Sequence, residues 1–136
     1  MYLLDTNVIS ELRKPRPHGG VLAWFRSVPE RQMFLSALSI GKLQAGVART
    51  RRQDVEKAAA IEAWIDELAV NYQILPLDAP VFREWARLMD DRPRQLMEDA
   101  MIAATARVHG LTVVTRNERD FAPFTVEVLN PFSSPK

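Results

Sequence analysis

Short apolar runs alternate along this chain with longer segments of helical periodicity. Between the runs, apolar side chains recur at helical spacing, as Ile61, Ile65 and Leu68 do. Strands that alternate with helices predict an α/β fold in which a parallel sheet is covered on both faces. The five predicted strands are Tyr2–Leu4, Met33–Leu38, Gln73–Leu77, Leu111–Thr115 and Thr125–Leu129.

Capping residues indicate where the helices begin and end. Asp54 and Asp78 are suitable N-caps, and Gly110 is a suitable C-cap. In the stretch LSIGKLQAG, we predict that Ser39 is another N-cap. Lys42 then occupies the position, three residues later, at which a capping box has Glu or Gln. The predicted helices are a brief one to about Leu12, Val21–Val28, one from Ser39, one from Asp54 to about Val70, one from Asp78, and the apolar Leu96–Val108.

Polar residues follow several of the predicted strands. They are Asp5-Thr6-Asn7, Ser39, Asp78 and Thr115-Arg116-Asn117. Ligands of open parallel sheets bind outside the carboxyl ends of the strands. We therefore expect the chemistry of this protein at that edge.

Two carboxylates stand out there. Asp99 lies within an otherwise apolar helix, where an ionised carboxylate is costly unless it is paired or binds a cation. The alternative is a buried salt bridge from Asp99 to an arginine. Asp5 is either a helix N-cap or a functional acid, and turn formation is the ordinary explanation for Asn117 and Asp120. Convergent carboxylates suit hard cations such as Mg²⁺ or Mn²⁺.

Composition narrows the class of protein. The chain has 136 residues, 47% of them hydrophobic, and no cysteine, so we expect one domain with a real core and no disulfide or thiolate metal site. No signal peptide or membrane span is predicted. The net charge is +1, and the basic cluster Arg49, Arg51 and Arg52 can contact nucleic-acid phosphates or be an ordinary solvated surface. His18 and His109 are expected to be structural.

Three segments resemble a known family. They are LLDTNVISEL near the start, EDAMIAATARVHGLTVVTRNERDF, and VEVLNPF near the end. Together they are similar to PIN-domain ribonucleases, above all to VapC-type toxins of toxin–antitoxin pairs in the FitB-like branch. The resemblance covers essentially the whole chain, 1–136, as a single PIN domain.

The resemblance implies a three-layer α/β/α sandwich around a short parallel sheet. It also implies a cytoplasmic, homodimeric endoribonuclease that requires Mg²⁺ or Mn²⁺ and cleaves RNA. Its partner would be a cognate antitoxin that blocks the site. Operator DNA would be bound only through that antitoxin, and no membrane is involved.

The family's acidic site can be carried over residue by residue. Its first acid falls on Asp5, and the acid that opens the segment DAMIAAT falls on Asp99; these two are the main implied metal ligands. Asn117 stands where many relatives have Asp, and Asp120 supplies a nearby carboxylate and a third possible ligand. Thr115 matches the polar residue at the strand end.

The remaining family acid is a glutamate, and its position is Lys42 in Ser39-Ile40-Gly41-Lys42-Leu43. The ammonium may be interpreted in three ways. It could sit among the carboxylates and abolish metal binding and activity; it could have arisen by selection or cloning against a lethal toxin; or it could point to solvent and leave the site working.

Two rival functions come from other classes. One is a degenerate, non-catalytic PIN domain that dimerises and binds antitoxin. The other is a receiver-like signalling domain, a class in which a lysine follows the last strand. That strand ends in Asn130-Pro131, so the receiver is disfavoured.

Overall fold

A computed structural model describes residues 1–133. Three short 3₁₀ segments, Glu30–Gln32, Arg94–Leu96 and Ala122–Phe124, join the main elements. The strands are β1 (Tyr2–Leu4), β2 (Met33–Ser36), β3 (Gln73–Leu75), β4 (Thr112–Val114) and β5 (Val128–Leu129). The helices are α1 (Thr6–Arg13), α2 (Gly19–Ser27), α3 (Ala37–Arg51), α4 (Val55–Asn71), α5 (Ala79–Met89), α6 (Met97–His109) and α7 (Glu118–Phe121).

The strands form one parallel sheet in the order β3-β2-β1-β4-β5. The chain winds outward from β1 in both directions, so the strand order reverses between β1 and β4. In open α/β sheets, this reversal opens a crevice at the carboxyl ends of the strands. The order differs from the 2-1-3-4-5 arrangement of receiver domains, which argues against that rival function.

Alternation along the strands supplies two cores. Leu3 and Val113 face a cluster that includes buried residues of α6. The next residues along the same strands, Leu4 and Val114, face the opposite cluster, which includes Val8 and Val21. Helices thus cover both faces of the sheet, and the predicted three-layer α/β/α architecture is confirmed.

The helix that carries Lys42 begins earlier than expected. Ser39 is not its N-cap: the cap is Ser36, whose Oγ accepts a hydrogen bond of 3.0 Å from the Leu38 backbone N–H. Met33–Leu38 is therefore a strand only to Ser36, because the buried cap residue ends it. Lys42 consequently lies in the second turn of α3, so the capping-box argument does not apply to it.

Other predicted boundaries were also too wide. Of Thr125–Leu129, only Val128–Leu129 pairs as a strand, because Thr125 takes a left-handed conformation with φ 51° after a 3₁₀ turn. The caps Asp54, Asp78 and Gly110 are confirmed, the last with φ 68°. Within residues 1–133, every helix is too short or too polar to span a bilayer.

Gly20 gives a stability test of the packing between α2 and the end of the chain. A Cβ at Gly20 would lie 2.6 Å from the Pro131 carbonyl oxygen, whereas a Cβ at Gly19 meets nothing within 4 Å. We expect Gly20→Ala to lower the free energy of unfolding by about 1–3 kcal/mol, because backbone must move to relieve the clash. Urea unfolding measures this loss, and Gly19→Ala is the matched control. Equal stability of the two variants would contradict the close approach.

Candidate metal-dependent nuclease site

Asp5 follows β1, faces the crevice between β1 and β4, and is 7% exposed. Its backbone N–H donates to the Val114 carbonyl at 2.9 Å, which ties the end of β1 to β4. Its Oδ1 accepts a hydrogen bond of 2.8 Å from the Thr6 backbone N–H as the cap of α1. Asp5 is therefore an N-cap whose carboxylate also belongs to the site, so the two interpretations are compatible.

Thr115 follows β4 and holds the second carboxylate oxygen of Asp5. Its buried hydroxyl donates to Asp5 Oδ2 at 2.8 Å and accepts from the Asn117 backbone N–H at 3.0 Å. Asn7 adds a second donor, with its Nδ2 at 3.3 Å from Asp5 Oδ2. Charge-assisted bonds of this kind fix the orientation of a carboxylate.

Asp99 lies in the first turn of α6, not in the middle of that helix as expected. The start of α6 is held by Trp85, whose Nε1 donates to the Met97 carbonyl at 3.1 Å. Asp99 forms no ion pair with any residue from 1 to 133. The alternative prediction, a buried salt bridge from Asp99 to an arginine, is therefore wrong. Its carboxylate is partly buried without a counter-ion.

The pKa of Asp99 is raised by the groups that surround its carboxyl. Burial, followed by the negative charges of Asp5 and Asp120, raises this pKa to about 6, while Lys42 opposes the rise. The charges of Asp5 and Asp120 thus lie close enough to Asp99 to act on its carboxyl group. Asp120 itself is exposed in α7, where its N–H donates to the Asn117 carbonyl at 3.1 Å. Asn117 is also exposed, in the loop before α7.

Lys42 does not sit among the three aspartates. Its Nζ lies 3.0 Å from Glu98 Oε1, and the two side chains are 42% and 53% exposed. Within the described chain, Glu98 is the only carboxylate within 4.0 Å of this ammonium. Lys42 nevertheless acts on Asp99, so it occupies the rim of the site and not its centre.

The residues present fit a divalent cation in ligand type but not as a finished site. Aspartate oxygens are the donors that Mg²⁺ and Mn²⁺ prefer. However, among residues 1–133, no three His, Cys, Asp or Glu side chains are arranged to hold a metal ion.

Three residues that contact the candidate site were assigned no role in it from the sequence. Asn7 was quoted in the DTN motif but not assigned a role, and its Oδ1 also accepts from the Arg116 N–H at 3.2 Å. Thr6 Oγ1 donates to the buried Ser39 Oγ at 2.9 Å and so joins α1 to α3. Glu98 was not among the predicted site residues, yet it pairs with Lys42. Only the opposite signs of Lys42 and Glu98 hinted at their pairing.

The histidines bear out part of the sequence analysis. His18 is structural, because its Nδ1 accepts hydrogen bonds from the Gly20 and Val21 N–H groups at the start of α2. His109 is the last residue of α6.

Comparison with known proteins identifies the family. The PIN domain profile matches residues 2–124. This chain belongs to the PIN-domain family. It is 36% identical to toxin FitB of Neisseria gonorrhoeae, with 97% of this chain and 99% of that protein covered. It is 33% identical to VapC ribonuclease Y4jK of Sinorhizobium fredii, with 97% and 98% covered.

Solved structures agree with this PIN-domain assignment. FitAcB from Neisseria gonorrhoeae aligns with a TM-score of 0.85 and 34% identity over 97% of this chain and 99% of that one. FitAB bound to an IR36 DNA fragment aligns with a TM-score of 0.86 and 32% identity over 100% and 99%. The resemblance to VapC-type and FitB-like toxins is therefore confirmed, and nucleases of this family are generally metal-dependent.

The raised pKa of Asp99 predicts a pH-dependent stability. The folded state favours the neutral acid, so its contribution is full below the ordinary pKa of 3.8 and is lost as pH rises through about 6. We expect Asp99→Asn to stabilise the protein by about 1 kcal/mol at pH 7.5, discounted for solvent screening, and by nearly nothing at pH 4. Urea unfolding at both pH values measures the difference.

The control for this variant is Asp66→Asn, at an exposed helical aspartate of α4. It removes the same charge far from any assigned cluster, so its effect should be small at both pH values. A loss of stability in Asp99→Asn at pH 7.5 would contradict the unpaired carboxylate.

Proposed function

We propose that this chain is the toxin of a type II toxin–antitoxin pair and an endoribonuclease by family, with activity impaired by Lys42. The observation that carries the proposal is that the partly buried Asp99 feels the charges of Asp5 and Asp120, with Asp5 held by Thr115 at the carboxyl edge of the sheet. Relatives of nearly the same length named as a FitB toxin and a VapC ribonuclease support the same activity.

Each residue at the site has a distinct task in this proposal. Asp5, Asp99 and Asp120 would be the ligands for Mg²⁺ or Mn²⁺. A bound divalent cation supplies neutralisation of phosphate charge and a lower pKa for the attacking water. Thr115 and Asn7 orient Asp5 by donating to its Oδ2. Asn117 contributes its backbone N–H to Thr115 and is itself exposed to solvent.

Lys42 impairs the site in two ways. It removes a carboxylate ligand, and it places a positive charge near the remaining three. Two unit charges 4 Å apart interact by about 4 kcal/mol at an effective dielectric of 20. The Lys42 ammonium is farther than 4.0 Å from the three aspartates and is paired with Glu98, so distance and this pairing both reduce its repulsion of a metal. The missing ligand is therefore the larger effect.

We also propose the partners. The structural relatives FitAB and FitAcB are complexes, and one of them holds an IR36 DNA fragment. By analogy, this chain binds a cognate antitoxin, reaches operator DNA only through it, and forms a homodimer. RNA is the substrate.

A second function is supported by the Lys42–Glu98 pair and by the incomplete metal site of the described residues. The chain would then be a degenerate PIN domain that dimerises and binds antitoxin without cleaving RNA. The two functions share a fold and partners. They differ only in catalysis, so an RNA-cleavage assay separates them.

Restoring the carboxylate tests the proposal. Lys42→Glu should increase the rate of RNA cleavage at least tenfold in the presence of Mn²⁺, because it adds a ligand and removes a repelling charge. The assay compares cleavage of a labelled RNA by the two proteins with Mn²⁺ and with a chelator. Expression of Lys42→Glu without antitoxin should also arrest growth.

The matched control is Lys57→Glu, which makes the same change on an exposed lysine of α4. It should leave cleavage unchanged. Failure of Lys42→Glu to cleave RNA under any metal condition, with normal folding, would favour the degenerate domain. Cleavage by the unaltered chain as fast as by Lys42→Glu would contradict the role given to Lys42.

A further inference from the structure

The segment Asn130–Phe132, which follows β5, packs against the loop that leads from β4 into α7. Both the nitrogen and the oxygen of the Asn130 side-chain amide form hydrogen bonds. Its Nδ2 donates to the Arg116 carbonyl at 3.3 Å and to Glu118 Oε2 at 2.9 Å. Its Oδ1 accepts from the Phe132 N–H at 2.9 Å. One side chain therefore holds the residues on both sides of Asn117.

A second contact fixes the same loop. The Arg116 guanidinium carbon lies 4.8 Å from the centroid of the Phe132 ring, a cation–π contact. On the opposite side, the Arg116 N–H is held by Asn7 Oδ1. Asn7 and Phe132 thus restrain the loop from two sides.

The segment has a rigid support of its own. Pro131 is buried, and its carbonyl lies against Gly20 at the start of α2, where no side chain could fit. The Phe132 ring also packs 5.2 Å from that of His18, the cap of α2. Asn130 therefore transmits the position of α2 and β5 to the loop.

We propose that Asn130 is a positioning residue for the site, acting through the loop between β4 and α7. This inference rests on the proposed function. The loop carries Asn117, whose N–H bonds to the hydroxyl that orients Asp5, and it leads directly into Asp120. Asn130 holds the loop so that Asn117 and Asp120 stay at the carboxyl edge, and it never contacts substrate.

The experiment exchanges donor and acceptor across the 2.9 Å contact. Asn130→Asp keeps the acceptor for Phe132 but places a carboxylate against Glu118. Adding Glu118→Gln returns a donor to the pair. Amide hydrogen exchange of Asn117 and Asp120, measured by NMR, reports the order of the loop whether or not the chain cleaves RNA.

We expect Asn130→Asp to accelerate exchange at these two amides at least tenfold while the amides of α4 are unchanged. Glu118→Gln in the double variant should recover much of the protection. Asn71→Asp, at an exposed asparagine that ends α4, is the matched control and should change neither amide. Unchanged exchange in Asn130→Asp, a uniform loss across the fold, or no recovery in the double variant would each overturn the proposal.

A second readout uses Lys42→Glu as the parent. Asn130→Asp in that parent should lower kcat for RNA cleavage about tenfold with little change in KM, and Glu118→Gln should partly restore it. Unchanged kcat in a parent that does cleave would overturn the positioning role. If the parent does not cleave RNA, the proposed function fails, and the exchange measurement still decides the role of Asn130.

Discussion

The hydrogen bond of 2.8 Å from the Thr115 hydroxyl to Asp5 Oδ2 joins the ends of β1 and β4, the two parallel strands between which the strand order reverses. Both partners are buried, and both are positioned by ladder bonds of the sheet: Asp5 to the Val114 carbonyl, and Thr115 to the Leu129 carbonyl. Because this bond orients the first carboxylate, every other feature of the site is built around it. Asn7 and Asn117 attach to the same pair.

Around this bond the protein gathers negative charge that its own residues only partly neutralise. Like charges and burial raise the pKa of Asp99, and such unpaired carboxylates are stable near neutral pH only at a cost. A cation would relieve that cost. Lys42 is a cation, yet it is bonded to Glu98 at the rim, where an exposed ion pair is worth about 1 kcal/mol or less. Lys42 therefore does not act as a central counter-ion for the aspartates.

Local sequence patterns predicted most of the fold. The alternation of strands and helices, together with caps such as Asp54 and Gly110, predicted the parallel sheet and its two covering layers. They failed where a tertiary contact decides the boundary, as at Ser36, which is buried and ends β2. At the candidate site, Asp99 was singled out because a buried acid is costly, and Asp5 because it follows a strand. The Lys42–Glu98 pair and Asn130 could not be singled out in this way, since their partners are set by packing between distant segments.

Titration of Mn²⁺ by calorimetry into the unaltered chain, Lys42→Met and Lys42→Glu tests the central claim most directly. Methionine removes the charge without supplying a ligand, so the series separates the two effects of Lys42. The account predicts weak binding by the unaltered chain, a modest gain for Lys42→Met, and at least tenfold tighter binding for Lys42→Glu. Equal affinity of the unaltered chain and Lys42→Glu would contradict it.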